Sequence, residues 1–497
     1  MTCPTAPGNR QPARGSGGAG QNVPGQGGRT QGTVVTERQP SLALGGVLTI
    51  AVMICVILGQ FLGTAAAQLA AAAAAIGALA CFCLHVAPAR LIFVAIGLAQ
   101  TVAALALTEG GATALLDALG RGAFIVALFT ALGTIRAAAG GSEAILSCGR
   151  FLAEQPPGRR YLALTAGGHL FGLVLMYGAI SLLGGLAVQA TAGLADPELR
   201  HHRLRRMLIA IQRGFAATLC WSPVAFSVVL ATTLVPGASW SRVILPCLVS
   251  AALVMGTGWL MDWIFKPRLS APPPERLPQA AGWLASLWPL LALLAIIAAA
   301  VAAVDVASGV GVVGAVMLVV PCLALGWIAL QLASARGTAR RVARFVTQEL
   351  PGYRGEIVLL FMAAFIGHLG AHLLAPVMDR AGLDLAAVPA PVILVVLVWL
   401  IPVAGQAGMN PILAASLILP LLPSPEALGL HPAALVVAVT GGWAISGVTS
   451  PFTASVLLLG SLSGQPARQA GLRWNGAYAL VLGVIMSGWA ILLGRVL

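Results

Sequence analysis

Two Ser-Pro pairs, Ser222-Pro223 and Ser450-Pro451, sit inside apolar stretches long enough to cross a bilayer. Proline has no N–H, and its ring clashes with the carbonyl one turn earlier. Each pair must therefore interrupt a helix and free carbonyls around Thr218, Leu219 and Gly447. Those carbonyls, with the hydroxyls of Thr218, Ser222, Ser446, Thr449, Ser450 and Thr453, are hard oxygen donors of the kind a small cation takes. A pair of proline kinks that only shapes packing is the competing reading.

The pairs belong to an internal repeat. Residues 214–234 (GFAATLCWSPVAFSVVLATTL) align without a gap on 442–462 (GWAISGVTSPFTASVLLLGSL), at an offset of 228. Eight of the 21 positions are identical: Gly214/Gly442, Ala216/Ala444, Ser222/Ser450, Pro223/Pro451, Ser227/Ser455, Val228/Val456, Leu230/Leu458 and Leu234/Leu462. An apolar block interrupted by Gly or Pro precedes each copy, 161–194 in one case and 389–423 in the other.

Those blocks are too long for one simple span at 1.5 Å per residue. The eleven other apolar segments are 42–63, 66–86, 91–108, 122–139, 207–234, 242–265, 283–304, 309–331, 355–377, 430–461 and 475–494. Arginine-bearing loops belong on the cytoplasmic side. Arg90, Arg136–Arg160, Arg200–Arg213, Lys266–Arg276, Arg336–Arg354 and Arg468–Arg473 share that side only if 161–194 and 389–423 each enter and leave at one face. Both blocks are thus predicted to be re-entrant helical hairpins, entering from opposite faces. Their turns fall near Tyr177 to Ser181, with Gly178, and near Gly405 to Pro411, with Gly408 and Asn410, and half-helix N-termini there suit an anionic group. Inverted repeats with interrupted helices in matching places point to a transporter site near the midplane.

Composition bounds the class. Of 497 residues 59% are apolar and 9% charged, with a mean hydropathy of +0.93. A soluble domain carries about 25% charged residues. The apolar runs show no alternation, which excludes a β-barrel. The formal charge of +13 is spread over short loops with no basic face beside aromatics, so nucleic acid is excluded as a partner. The eight cysteines have no zinc-ligand or disulfide spacing. Gly309-Val310-Gly311-Val312-Val313-Gly314 matches a dinucleotide glycine pattern but lies in an apolar span, where small residues serve helix packing. No catalytic constellation is visible, and an enzyme is not expected.

His368 and His372 lie one helical turn apart, the spacing two imidazoles need to share a metal, but no third ligand accompanies them. Proton coupling and interhelical hydrogen bonding are the two remaining roles, for these and for His169 in the first hairpin.

With hairpin and broken helix in each half, and with Glu356 to Leu374 (EIVLLFMAAFIGHLGAHLL) before the second hairpin, residues 120–495 resemble the ion transporter superfamily. That superfamily includes divalent-anion/sodium symporters, citrate carriers, arsenite permeases and some sodium/proton antiporters. The resemblance implies a homodimer, with a scaffold domain against which a transport domain moves as an elevator. Symporters of this kind carry Ser-Asn-Thr at each tip. Here the second tip reads Met409-Asn410-Pro411 and the first Ala179-Ile180-Ser181, so neither sodium coupling nor dicarboxylate specificity carries over.

The expected protein is an all-α integral membrane protein of two inverted repeats. Residues 1–40 form a disordered cytoplasmic tail, 41–121 scaffold helices and 122–265 the first repeat. Residues 266–282 form a cytoplasmic linker, 283–354 further scaffold helices with a basic loop, and 355–497 the second repeat. The expected function is secondary transport of a small anionic solute across the inner membrane, the N-terminus cytoplasmic. No cofactor is implied, and sodium or the proton is the coupling ion. A sodium/proton antiporter is the alternative.

Overall fold

The computed structural model describes residues 40–140, 142–265, 283–382 and 384–496. The tail expected over 1–40 (all but Pro40) and the linker expected over 266–282 lie outside the described residues.

The chain opens with α1 (Pro40–Leu62), α2 (Ala65–Cys83), α3 (Pro88–Leu107) and α4 (Gly111–Ala139). A short amphipathic α5 (Glu143–Ala153) leads to the first hairpin, α6 (Pro157–Leu175) and α7 (Gly178–Ala192). The first broken helix follows as α8 (Pro197–Trp221) and α9 (Phe226–Leu234), then α10 (Trp240–Ile264). Next come α11 (Trp283–Ser308), α12 (Val312–Leu332), the basic α13 (Ala335–Arg344), a single turn α14 (Leu350–Gly352) and α15 (Arg354–Arg380). The second hairpin is α16 (Ala390–Gln406) and α17 (Pro411–Ile418), and the second broken helix α18 (Pro432–Thr449) and α19 (Ala454–Ser463). A π-turn over Gln469–Arg473 starts α20 (Trp474–Val496).

Eleven of these elements, counting each broken helix once, are long and apolar enough to cross a membrane, matching the eleven expected spans. At 1.5 Å per residue the 17 residues of α16 reach about 26 Å and the eight of α17 only about 12 Å, so neither hairpin arm need traverse the bilayer. The differences from the sequence reading are local. Helix α4 begins at Gly111, eleven residues before the apolar run, because Asp117 and Arg121 are helical despite their charge. Helices α5 and α13 are amphipathic segments that hydropathy alone passes over.

Polar contacts tie one end of the bundle together. Arg354 Nε donates to the His85 carbonyl (2.8 Å), Gln331 Nε2 to Ala138 O (3.4 Å) and Arg341 to Ala137 O (2.9 Å). Arg206 makes a two-point ion pair with Asp262, at 2.9 and 2.7 Å. We call this the basic end. The first hairpin enters from it and the second from the opposite end, as the order of spans requires.

The core is densest around the broken helices. The most apolar window of α18–α19 is wholly buried, and 83% of that of α8–α9 is. Helices α6 and α8 meet through glycines: a Cβ on Gly168 would fall 2.2 Å from Ile211 O, and one on Gly214 2.0 Å from Thr165 O. Any side chain at either position would force the hairpin off α8.

Candidate functional site

At the first break Pro223 cannot donate to Leu219 O, and the Ser227 hydroxyl donates instead. At the second Pro451 cannot donate to Gly447 O, and the Ser455 hydroxyl takes its place. The next free amide turns inward in both copies: Val224 N donates to Ser222 Oγ (3.4 Å) and Phe452 N to Ser450 Oγ (3.3 Å). Every partner stands 228 residues from its counterpart, so the repeat is one of hydrogen bonds as well as of letters. Ser227 and Ser455 were not among the expected site residues, although both are identities of the repeat. The signal was there; its meaning depends on the turn geometry after the proline.

The two breaks abut. Leu219 Cδ1 lies 3.1 Å from the place a Cβ on Gly447 would occupy. Each hairpin lays its first arm on the break of its own repeat. A Cβ on Gly172 of α6 would meet Thr218 Cγ2 at 3.0 Å, and one on Gly405 of α16 would meet Ser446 Oγ at 2.5 Å. Thr218 and Ser446 are again 228 apart. In the second repeat the join is also polar, since Ser450 Oγ donates to Gly405 O at 2.7 Å. The second arms cross over: α7 packs on α19 of the other repeat and α17 on α9.

A solved structure shares this fold. The YdaH transporter of Alcanivorax borkumensis, whose topology is described as unusual, superposes with a TM-score of 0.55. The match has 20% identity and covers 82% of this chain and 98% of that one. MtrF of Neisseria gonorrhoeae, described with a class of antimetabolite efflux pumps, aligns at 15% identity over 83% and 96% of the two chains, with a TM-score of 0.49. No protein-family model and no curated protein matches the sequence.

The expected site residues fall into three groups. Ser222, Ser446, Thr449 and Ser450 are buried together with Thr218 at the paired breaks. Thr218, Thr449 and Thr453 give their protons to Phe215 O (2.6 Å), Ile445 O (2.7 Å) and Ser450 O (2.8 Å), which leaves only lone pairs to offer. Such oxygens suit a cation and repel an anion. Ser446 Oγ has no partner among the described residues, and Ser222 Oγ only accepts, so these two hydroxyls keep a proton free to donate.

The tip residues form the second group. Gly408 takes φ +90 and turns the second tip, a conformation glycine adopts without strain. Asn410 Oδ1 accepts from Ile412 N (2.8 Å) and so caps α17, leaving its amide NH2 without a partner among the described residues. At the first tip the turning residue is Met176, φ +51, rather than Gly178, which is the first residue of α7. A side chain in that region is strained. Ser181 is exposed on α7, one turn into the arm.

The histidines are the third group. His169 joins hairpin to broken helix: Trp221 Nε1 donates to its Nε2 (3.2 Å), so its Nδ1 carries the proton toward Gly214 O (3.3 Å). His368 and His372 part company. His372 Nε2 meets Thr108 Oγ1 at 3.1 Å while His368 lines a cavity. No cluster of three or more metal-ligating residues occurs among the described residues.

Sequence reasoning also missed a buried polar knot beside the second break. Arg213, 5% exposed, donates to Asn475 Oδ1 (3.1 Å), Tyr161 OH (3.1 Å) and Gly258 O (3.4 Å), with its guanidinium 4.0 Å over the Tyr478 ring. Asn475 Nδ2 in turn reaches Gln212 Oε1 (3.0 Å) and Val448 O (3.2 Å). An arginine inside a span costs about 2.5–3.5 kcal/mol on insertion scales, and this one offsets the cost with neutral acceptors and a ring face rather than an acid.

Two cavities flank α4. One of about 950 Å³ lies at the end opposite the basic one and is walled by α1, α2 and α4 on one side and by α9, α15 and α17 on the other. A smaller one of about 460 Å³ lies at the basic end, lined by Arg136, Gln331, Arg341 and Tyr353. Neither is lined by Ser222, Ser446 or Ser450, which are buried, while Phe452 at the turn of the second break is exposed.

Proposed function

We propose that this protein is a secondary active transporter of a small anionic solute, an organic anion, coupled to sodium or protons. The observation that carries the reading is the matched pair of breaks, each held open by a serine at the same repeat offset and roofed by its own re-entrant hairpin. Two broken helices that face each other between cavities at opposite ends fit a centre exposed alternately to each side. The proton-exhausted hydroxyls of Thr218, Thr449 and Thr453 suit the coupling cation. The free protons of Ser222 and Ser446, with the Asn410 amide and the backbone near Gly178, Ser181 and Gly408, suit the solute.

The similarity in fold to a solved transporter agrees with this reading. The arginine-bearing tail and loops put the N-terminus and the basic end on the cytoplasmic side of the inner membrane, and the resemblance to the ion transporter superfamily adds a homodimer moving as an elevator. An exchanger of sodium for protons needs a buried carboxylate that trades the two. Between residues 207 and 234 and between 432 and 463 there is no Asp or Glu, which weighs against the antiporter.

Purified protein in proteoliposomes, given a panel of radiolabelled small organic anions under an imposed sodium or proton gradient, tests the proposal. Gradient-driven uptake of at least one anion is expected, falling at least tenfold in Ser446→Ala, whose hydroxyl has no partner among the described residues, and in Asn410→Asp, which keeps the helix cap. Undiminished uptake by both variants would remove the site assignment, and uptake indifferent to both gradients would remove the coupling.

A further inference from the structure

Eight buried side-chain polar atoms lack a hydrogen-bond partner among the described residues, and two of them, Arg121 Nε and Ser416 Oγ, belong to residues lining the cavity of about 950 Å³. Arg121 makes no ion pair among the described residues. It lies ten residues into α4, about 15 Å from the helix start. Asp117 lies one turn nearer the mouth and is exposed, where water screens it, while Arg121 is set deeper beside His368. Ser416 of α17 and Thr232 and Thr233 of α9, on the flanks of the second hairpin and the first broken helix, also line the cavity.

We propose that this cavity is an anion-binding vestibule in which Arg121 holds the oxyanion of a small organic solute, a carboxylate or sulfonate. The guanidinium supplies a cation with no ion pair and an Nε–H with no acceptor among the described residues; the carboxylates of Asp117, one turn away, and Asp305 line the same cavity, as do Ser416 and the Gln60 and Gln68 amides. The size fits a solute of up to a few hundred daltons, within the range of small-molecule pockets. The proposal rests on the transporter reading only in calling the cavity an entrance; binding of an anion there does not depend on flux.

Cys55 lines the same cavity with a free thiol, and Cys322 is exposed elsewhere as a reference. Purified full-length protein in detergent is labelled with methanethiosulfonates carrying either an anionic sulfonate or a cationic trimethylammonium group, and each cysteine is followed by peptide mass spectrometry. The rate ratio of anionic to cationic reagent at Cys55, normalised to Cys322, is expected to fall about tenfold in Arg121→Gln, as the loss of one nearby charge in a partly wet cavity implies. Arg121→Lys is expected to keep the ratio, and sodium benzoate to slow the anionic reagent in the parent protein. A ratio unchanged by Arg121→Gln, absence of labelling at Cys55 by either reagent, or protection by phosphatidylglycerol but not benzoate would overturn the proposal. Because no transport is measured, these outcomes stand apart from success or failure of the uptake assay.

Discussion

Ser450 donates its hydroxyl proton to the carbonyl of Gly405, 45 residues earlier, at 2.7 Å. The bond joins the second hairpin to the break in its own repeat at a point where both are buried. Ser222, its counterpart, has no such bond; its oxygen only accepts from Val224 N at 3.4 Å. The two halves are thus alike in fold and unlike in how firmly the hairpin is held.

That asymmetry predicts different costs for one chemical change. Ser450→Ala removes this bond while Gly405 O keeps the Gly408 N–H at 3.2 Å, a loss of about 0.5–1.5 kcal/mol. Ser222→Ala removes a weaker contact and should cost less than about 1 kcal/mol. Thermal unfolding of the two variants in detergent reads the difference directly, and equal shifts would mean that the Gly405 contact stabilises nothing.

The seats of the hairpins depend on the absence of a side chain. Gly405→Ala places a methyl 2.5 Å from Ser446 Oγ and should destabilise by about 1–3 kcal/mol through overpacking. Gly185→Ala on α7 meets nothing within 4 Å and should be neutral or slightly stabilising. Adding Ser446→Gly to Gly405→Ala should restore part of the loss. Absence of any recovery in the double variant would show that the strain lies in the backbone of α16 and not in this contact.

Much of this plan was legible in the chain, and the reason is periodicity. Spans and hairpins are long apolar runs bounded by charge, so hydropathy and arginine placement locate them without tertiary information. The repeat at offset 228 gave the breaks because proline acts on its own turn. What hydropathy and spacing did not disclose is long-range. Arg213 meets Asn475 across 262 residues and Tyr161 across 52, and nothing local marks those polar letters as partners. Arg121 falls just before the apolar run of 122–139 and nothing in that run marks it, whereas it is a helical residue lining a cavity. Ser227 and Ser455 were visible as identities, but their task follows only from the shape of the turn after the proline.

The knot around Arg213 predicts a strong and specific loss. Asn475→Leu removes the acceptor for Arg213 and the donors for Gln212 and Val448 O in one step. Losing one hydrogen bond to a buried charge costs about 1.5–3 kcal/mol, and the Gln212 and Val448 oxygens lose their donor as well, so this variant should be recovered in low yield. Arg213→Met in the Asn475→Leu background should recover stability relative to Asn475→Leu alone, since the charge that lost its partner is gone. A double variant less stable than either single one would place the stabilising effect of Arg213 in its other bonds, to Tyr161 and Gly258.

Asn410 separates a structural role from a functional one. Its Oδ1 caps α17, and loss of such a cap costs about 0.5–2 kcal/mol, so Asn410→Ala lowers stability and flux together and cannot tell the two apart. Asn410→Asp keeps an oxygen for Ile412 N and adds a negative charge at a helix N-terminus, which by itself favours the helix. Stability of this variant should therefore match or exceed that of the parent. If the amide NH2 is what meets an anion, the same change turns a donor into a like charge, and anion uptake should fall at least tenfold while the thermal midpoint holds. Retained uptake in Asn410→Asp would make the side chain a cap alone, and the anion's contacts at this tip would then have to come from backbone N–H groups.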